Sequence, residues 1–194
     1  NFIFASSEWV YDTFEVNKEK REDASININK LSSEYALSKL VSENNLRQFY
    51  NTYKKINITI LRFGIIYGNR NNNWSAVESL FVKVKNDELI TVGSYKTARR
   101  FIHVKDICSG LIATLKVRGF NIINLQGKKL ISLFDILNHS SKILNKSYKI
   151  KQLDKNNPSI RKISNFKSKK ILNWQPKITI SVGLKMLNTF LKND

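Results

Sequence analysis

An apolar run, a long amphipathic segment and a second apolar run follow one another at the start of the chain, and that succession leaves few folds open. Phe2-Ile3-Phe4-Ala5 is ended by Ser6 and Ser7, as a buried parallel strand would be. The spacing predicts a helix from about Ser33 to Tyr53, capped by Ser32 or Ser33, with Ala36, Leu37, Leu40, Val41, Leu46, Phe49, Tyr50 and Tyr53 at its apolar positions. Residues 58–62 (ITILR) read as the next strand. Strand, long helix and strand in succession indicate a βαβ unit and a parallel sheet, so the fold class is α/β.

Further along, the pattern predicts a helix at 76–86, a strand at 89–92, a turn at Gly93, a helix ending near Val117 and a strand at 121–125. Helices near 132–145, 166–172 and 181–192 complete the chain, and 12–32 reads as a long polar loop without regular structure. Both prolines, Pro158 and Pro176, fall in the last quarter, which suggests a loop-rich lobe there. No apolar run approaches about 18 residues, so no membrane-spanning helix is expected. The single cysteine, Cys108, offers neither a disulfide framework nor metal-ligand spacing and fits a reducing, cytoplasmic compartment. Because the chain opens at Asn1 directly into a strand, a targeting segment or a half-domain is expected to lie outside it.

A net charge of +18 invites a nucleic-acid reading. Against it, Lys, Asn and Ile (25, 23 and 23 residues) are the residues of A/T-rich codons, and genome composition explains much of the excess. The lysines are also scattered rather than interleaved with aromatics along one stripe, so a solvated basic surface is the better reading.

Chemistry enters at Tyr35 and Lys39. Four apart on a helix, their side chains share one face with Cβ atoms roughly 5–6 Å apart, and a fixed cation favours the phenolate that a tyrosine base needs. With 25 lysines and seven tyrosines about one such pair arises by accident. Tyr50 and Lys54 are a second copy, read as helix surface; position separates the first, 28 residues after Ser7 at a strand end.

FIFASSEWVY (2–11), YALSK (35–39), ITILRFGIIYG (58–68), RRFIHVKD (99–106) and ILNWQPK (171–177), in this order, resemble the extended short-chain dehydrogenase/reductase family, the NAD-dependent epimerases and dehydratases of nucleotide sugars. The resemblance implies the second half of a Rossmann-type parallel sheet (1–64 and 102–126, the C-terminal part of the NAD-binding domain) and a small mixed α/β substrate-binding lobe (65–101 and 127–194). The family's glycine-rich pyrophosphate turn is not among the seven glycines here, which implies truncation ahead of Asn1 and a fragment inactive alone.

Residue by residue, the resemblance implies that Ser7, four before Tyr11, hydrogen-bonds the reacting sugar hydroxyl. Tyr35 would be the proton-accepting base and Lys39 would hold the nicotinamide ribose. Phe63 would run beside the nicotinamide, Glu8 would face the sugar and Arg99 would grip the nucleotide diphosphate. Competing readings are a turn-capping serine for Ser7, a solvated pair for Tyr35 and Lys39 and a surface charge for Arg99. Arg62 reads as structural, His103 as a packed histidine at a helix start, and Asp106 as a helix-end acid.

Departures from the family are Ile65 in place of an Asn, Arg100 in place of an Asp, and Asn157-Pro158-Ser159 in place of Arg-Pro-Gly-Asp. Glu8-Trp9 stands where dehydratases carry an acidic pair, which favours epimerisation over dehydration; a 4,6-dehydratase and a keto-sugar reductase are the alternatives within the enzyme class. NAD is the expected cofactor, with NADP open because its selector is absent. A nucleotide sugar is the expected substrate, without membrane or nucleic-acid partners, and a homodimer is expected of the full-length protein. The reading from another class is a non-catalytic Rossmann-like scaffold or a basic binding module.

Overall fold

The computed structural model describes residues 1–15, 18–72 and 74–192. They form two compact units: residues 1–64, 107–126 and 162–176, and residues 65–106, 127–161 and 177–194. Among the described residues no helix is long and apolar enough to cross a membrane.

The first unit is built on strands β1 (Phe2–Ser7), β2 (Ile58–Phe63) and β7 (Phe120–Leu125), numbered in chain order. They form one parallel sheet in the order β1-β2-β7, as the strand-helix-strand succession requires. Helix α1 (Glu34–Tyr53) makes the crossover between the first two strands. The Ser33 hydroxyl oxygen accepts from the Ala36 amide at 3.2 Å, capping the orphan donors of the first turn. Lys54 closes the helix in the left-handed conformation at φ 49°. Ile58, Ile60 and Ile122 form a core against which Phe4, Leu46, Tyr50 and Phe120 pack. Tyr50 is therefore not plain helix surface: its ring lies 5.6 Å from that of Phe120.

The described residues of 12–32 are tied down more than their composition predicts. Asp12 accepts from the Asn27 amide at 2.8 Å and from Lys20 Nζ at 3.1 Å. The Lys20 backbone bonds to Lys162 O and Ser164 N, both at 2.9 Å. That clasp places 162–176 with this unit rather than with the lobe to which the sequence assigns it. In helix α5 (Phe166–Leu172) and the turn after it, Trp174 is buried and donates to Ser109 Oγ at 2.8 Å.

In the second unit, helices α2 (Ala76–Lys85), α4 (Leu133–Leu144) and α6 (Ile180–Phe190) share a core that includes Tyr67, Phe81, Ile136, Leu137 and Leu184. Capping boxes start α2 (Ser75 with Glu78) and α4 (Ser132 with Asp135). Strands β4 (Leu89–Val92) and β9 (Lys149–Gln152) pair in parallel. The two-residue strands β3 (Ile66–Tyr67) and β6 (Ile102–His103) also pair in parallel, whereas β5 (Ala98–Arg99) and β8 (Ile131–Ser132) are antiparallel. Gly127 passes so close to the Phe101 carbonyl that a Cβ would not fit. Helix α3 (Val104–Thr114) begins in this unit, continues in the first, and stops three residues short of the predicted end at Val117.

Candidate active site

The sheet register puts two of the expected site residues side by side. Ser7 and Phe63 are paired at the C-terminal ends of β1 and β2, the edge at which open parallel sheets bind ligands. Ser7 is buried, and its oxygen accepts from the Trp9 amide at 3.3 Å, capping the 3₁₀ turn Glu8–Val10. A hydroxyl that accepts one bond still has its hydrogen to donate.

Helix α1 packs against β1 and against that turn, which brings its first turns to the same end of the strand. Lys39 Nζ donates to the Ala5 carbonyl at 2.9 Å and lies 5.6 Å from the Tyr35 ring centre and 5.1 Å from that of Phe4. One of its three ammonium hydrogens is thus spent on the strand, leaving two for a ligand. Tyr35 is 52% exposed, and among the described residues nothing hydrogen-bonds its hydroxyl. Ribose hydroxyls and a sugar hydroxyl are groups that such a pair can take, so these residues fit the dinucleotide that the resemblance implies.

Behind this edge lies a buried polar network that the sequence did not announce. Ser6, Arg62 and Asn124 form one row across the three strands. Arg62 makes a forked ion pair with Glu43 of α1, Nη2 to Oε2 at 2.7 Å and Nε to Oε1 at 3.0 Å, and the Ser6 hydroxyl donates to the same Oε1 at 2.5 Å. The guanidinium also lies 4.9 Å from the Tyr11 ring centre, while Tyr11 donates to Asn124 Oδ1 at 2.9 Å. Burial opposes the charge on Arg62, but Glu43 and Tyr11 outweigh it and raise its pKa; burial raises that of Tyr11, keeping it a neutral donor. Arg62 thus holds α1 to the sheet, in line with its structural reading. The signal for Glu43 was present: it occupies the buried face of α1 with Ala36 and Leu40, where a charge needs a partner.

The remaining expected residues are placed as follows. Glu8 is buried; with the Gln126 amide oriented to suit both neighbours, that side chain donates to Glu8 Oε2 and accepts from the Gly64 amide, each at 3.0 Å. Arg99, in the second unit, is buried and gives Nη1 to the Ala98 carbonyl at 2.8 Å and Nη2 to Ser159 Oγ at 2.9 Å. His103 is packed edge-on to Tyr67 at 5.2 Å with its Nδ1 accepting from the Lys105 amide, and burial lowers its pKa. Asp106 accepts from the amides of Lys177 and Ile178 at 3.0 and 2.9 Å. Among the described residues no cluster of three or more His, Cys, Asp or Glu could hold a metal.

Known proteins share the sequence pattern and the fold. UDP-glucuronate 4-epimerase of Thermodesulfobacterium geofontis is 31% identical over 84% of the chain and 51% of its own length. UDP-glucuronic acid decarboxylase 3 of Arabidopsis thaliana is 27% identical over 71% of the chain and 42% of its own. The crystal structure of UDP-glucuronic acid 4-epimerase from Bacillus cereus, in complex with UDP-glucuronic acid and NAD, superposes with a TM-score of 0.86 at 26% identity, over 99% of this chain and 61% of that one. The chain spans about half the length of the curated relatives it matches. Its Rossmann-type α/β fold and mixed lobe are those of this group, and the profile of the NAD dependent epimerase/dehydratase family matches residues 1–125. The chain belongs to the NAD dependent epimerase/dehydratase family.

Proposed function

We propose that this chain carries the sugar-side catalytic residues of an NAD-dependent nucleotide-sugar 4-epimerase. The observation that carries the reading is the conjunction at one sheet edge: Ser7 paired with Phe63, and Lys39 fixed to the Ala5 carbonyl beside an open Tyr35. When bound, NAD supplies the reversible hydride exchange at the sugar carbon. Tyr35 accepts the proton of the sugar hydroxyl as it is oxidised and returns it when the carbonyl is reduced. Ser7, its oxygen already turned toward Trp9, gives its hydrogen to the developing carbonyl oxygen. Lys39 uses its two remaining hydrogens on ribose hydroxyls. Phe63 forms the apolar wall beside them.

Epimerisation is favoured over dehydration because elimination of water needs an acid and base facing the sugar. Glu8 is the single carboxylate of the Glu8-Trp9 pair and is buried against Gln126. Leu37, Val41, Phe49 and Tyr53 leave exposed apolar surface on α1, which we assign to a homodimer contact. The glycine-rich dinucleotide turn comes, in this reading, from sequence ahead of Asn1.

The test fuses the glycine-rich segment of a family member ahead of Asn1 and assays UDP-glucose and UDP-glucuronate for inversion at C4, by NMR of the sugar. The expected result is epimerisation that requires Tyr35. A soluble fusion that binds NAD yet epimerises neither sugar would overturn the reading.

A further inference from the structure

A second cleft opens along β7 of the same sheet. Phe120 is the register partner of Ile58, so both begin their strands. A cleft of about 510 Å³ opens beside Phe120, walled by α5 and by Arg47 of α1. Arg47 follows Tyr35 by twelve residues on α1, so at 1.5 Å per residue these two positions lie roughly 18 Å apart along the helix.

Four cations line the cleft: Arg21, Arg47, Lys167 and Lys170. The two arginines lie over aromatic faces, Arg21 5.5 Å from the Phe166 ring centre and Arg47 4.7 Å from that of Phe120. Among the described residues none of the four donates a side-chain hydrogen bond or makes an ion pair, so all four retain unspent donors. Two carboxylates also line the cleft, but Glu22 Oε1 already accepts from the Asn124 amide at 2.8 Å. Positive charge is therefore in surplus. Lys167 is half-buried, and burial lowers its pKa, with Glu22 and Asp23 opposing the shift and Arg62 and Arg47 reinforcing it. The apolar part of the wall is Phe166, 58% exposed, with Ile171 and the edge of Phe120.

Guanidinium forks and ammonium groups suit phosphate oxygens, whereas an open phenyl ring and guanidinium planes suit a flat heterocycle. A bare anion would leave the apolar wall unused, and an uncharged ring would leave the four cations unmatched. We propose that this cleft binds a nucleoside monophosphate, with the phosphate among Arg47, Lys167 and Lys170 and the base against Phe166 and Ile171.

The experiment is calorimetric titration of the 194-residue chain with AMP, UMP, adenosine and inorganic phosphate at low and high salt. Saturable binding of AMP or UMP that weakens with salt is expected, with adenosine and phosphate each about tenfold weaker or worse, since each lacks one half of the match. Lys167→Gln and Arg47→Gln should each weaken nucleotide binding by about tenfold, the scale of one charged hydrogen bond. Lys167→Gln should leave the thermal midpoint unchanged, whereas Arg47→Gln gives up its contact with the Phe120 ring and should lower it only slightly. Arg99→Ala in the second unit should leave the affinity unchanged. Absence of saturable binding by either nucleotide, phosphate binding as tightly as AMP, or affinity lost with Arg99 and kept without Lys167 and Arg47 would each overturn the proposal.

Discussion

Glu43 and Arg62 face each other across the interface between α1 and the sheet, Oε2 to Nη2 at 2.7 Å, with side chains 3% and 4% exposed. Removing one partner of a buried pair strands the other charge without solvent. Glu43→Ala is therefore expected to cost about 3–5 kcal/mol, and Glu43→Gln less because it keeps hydrogen-bonding capacity. Replacing both residues by apolar ones of similar volume should cost less than either alanine variant alone. Urea unfolding of the single and double variants measures this. Equal, additive losses would show that the two side chains are not coupled.

Tyr35 and Tyr50 give an internal control on α1. Tyr35 holds its hydroxyl open beside Lys39, whereas Tyr50 packs its ring on Phe120. In the fused enzyme Tyr35→Phe should lower turnover by roughly 100-fold or more, the scale of losing a general base. Tyr50→Phe keeps the ring and its packing and should leave turnover within about twofold, since it removes no proton-transfer group. Steady-state rates at saturating sugar nucleotide decide between them.

Asp12 organises the loop ahead of α1. Burial opposes its charge, but the Asn27 and Thr13 amides and Lys20 prevail and bring its pKa down to about 2. A carboxylate depressed in the folded state contributes stability that is complete above its unfolded pKa of about 4 and fades as pH falls toward its folded value. The clasp over 12–32 should therefore hold at neutral pH and loosen between about pH 4 and pH 2. Asp12→Asn should mimic that loosening at neutral pH. Limited proteolysis at neutral pH reads it as faster cleavage within 12–32 in the variant than in the parent. Unchanged cleavage would show that the loop is held elsewhere.

The sequence made some of this legible, and physics explains which parts. The β1-α1-β2 unit could be read because each element carries its own local signal: continuous apolar strands, the Ser33 cap and a long helix. Strands β4 and α5 were found to the residue for the same reason. Strand β9, KIKQ, was missed because its pairing is with β4, sixty residues earlier, and its lysines read as surface. Two-residue strands such as β3 and β6 are too short to show any period. Around the candidate site, Ser7, Tyr35 and Lys39 could be singled out from a known motif, whereas the Ser6–Glu43–Arg62 bonds depend on register. The resemblance makes Arg99 a grip on the nucleotide diphosphate, and the structure gives its guanidinium to Ala98 and Ser159.

That last pairing sharpens one test. If Arg99 grips substrate phosphate, it must do so while anchored by Ser159, and the two functions separate in kinetics and stability. A diphosphate keeps its charge through the hydride step, so the grip is equal in ground and transition states and its loss appears in KM rather than kcat. Arg99→Ala in the fused enzyme should raise KM for the nucleotide sugar with little change in kcat. It should also lower the melting temperature, because the Ser159 hydroxyl and carbonyl lose a buried donor. Ser159→Ala removes the side-chain acceptor alone and should lower the melting temperature with a smaller effect on KM. Arg100, which donates to the exposed Lys128 carbonyl at 3.1 Å, should be nearly dispensable for both. Steady-state kinetics and thermal melts of the three variants are the measurements. A melting loss with KM unchanged for Arg99→Ala would assign this arginine wholly to the fold of the lobe, and the phosphate grip would have to be sought among other cations of the second unit.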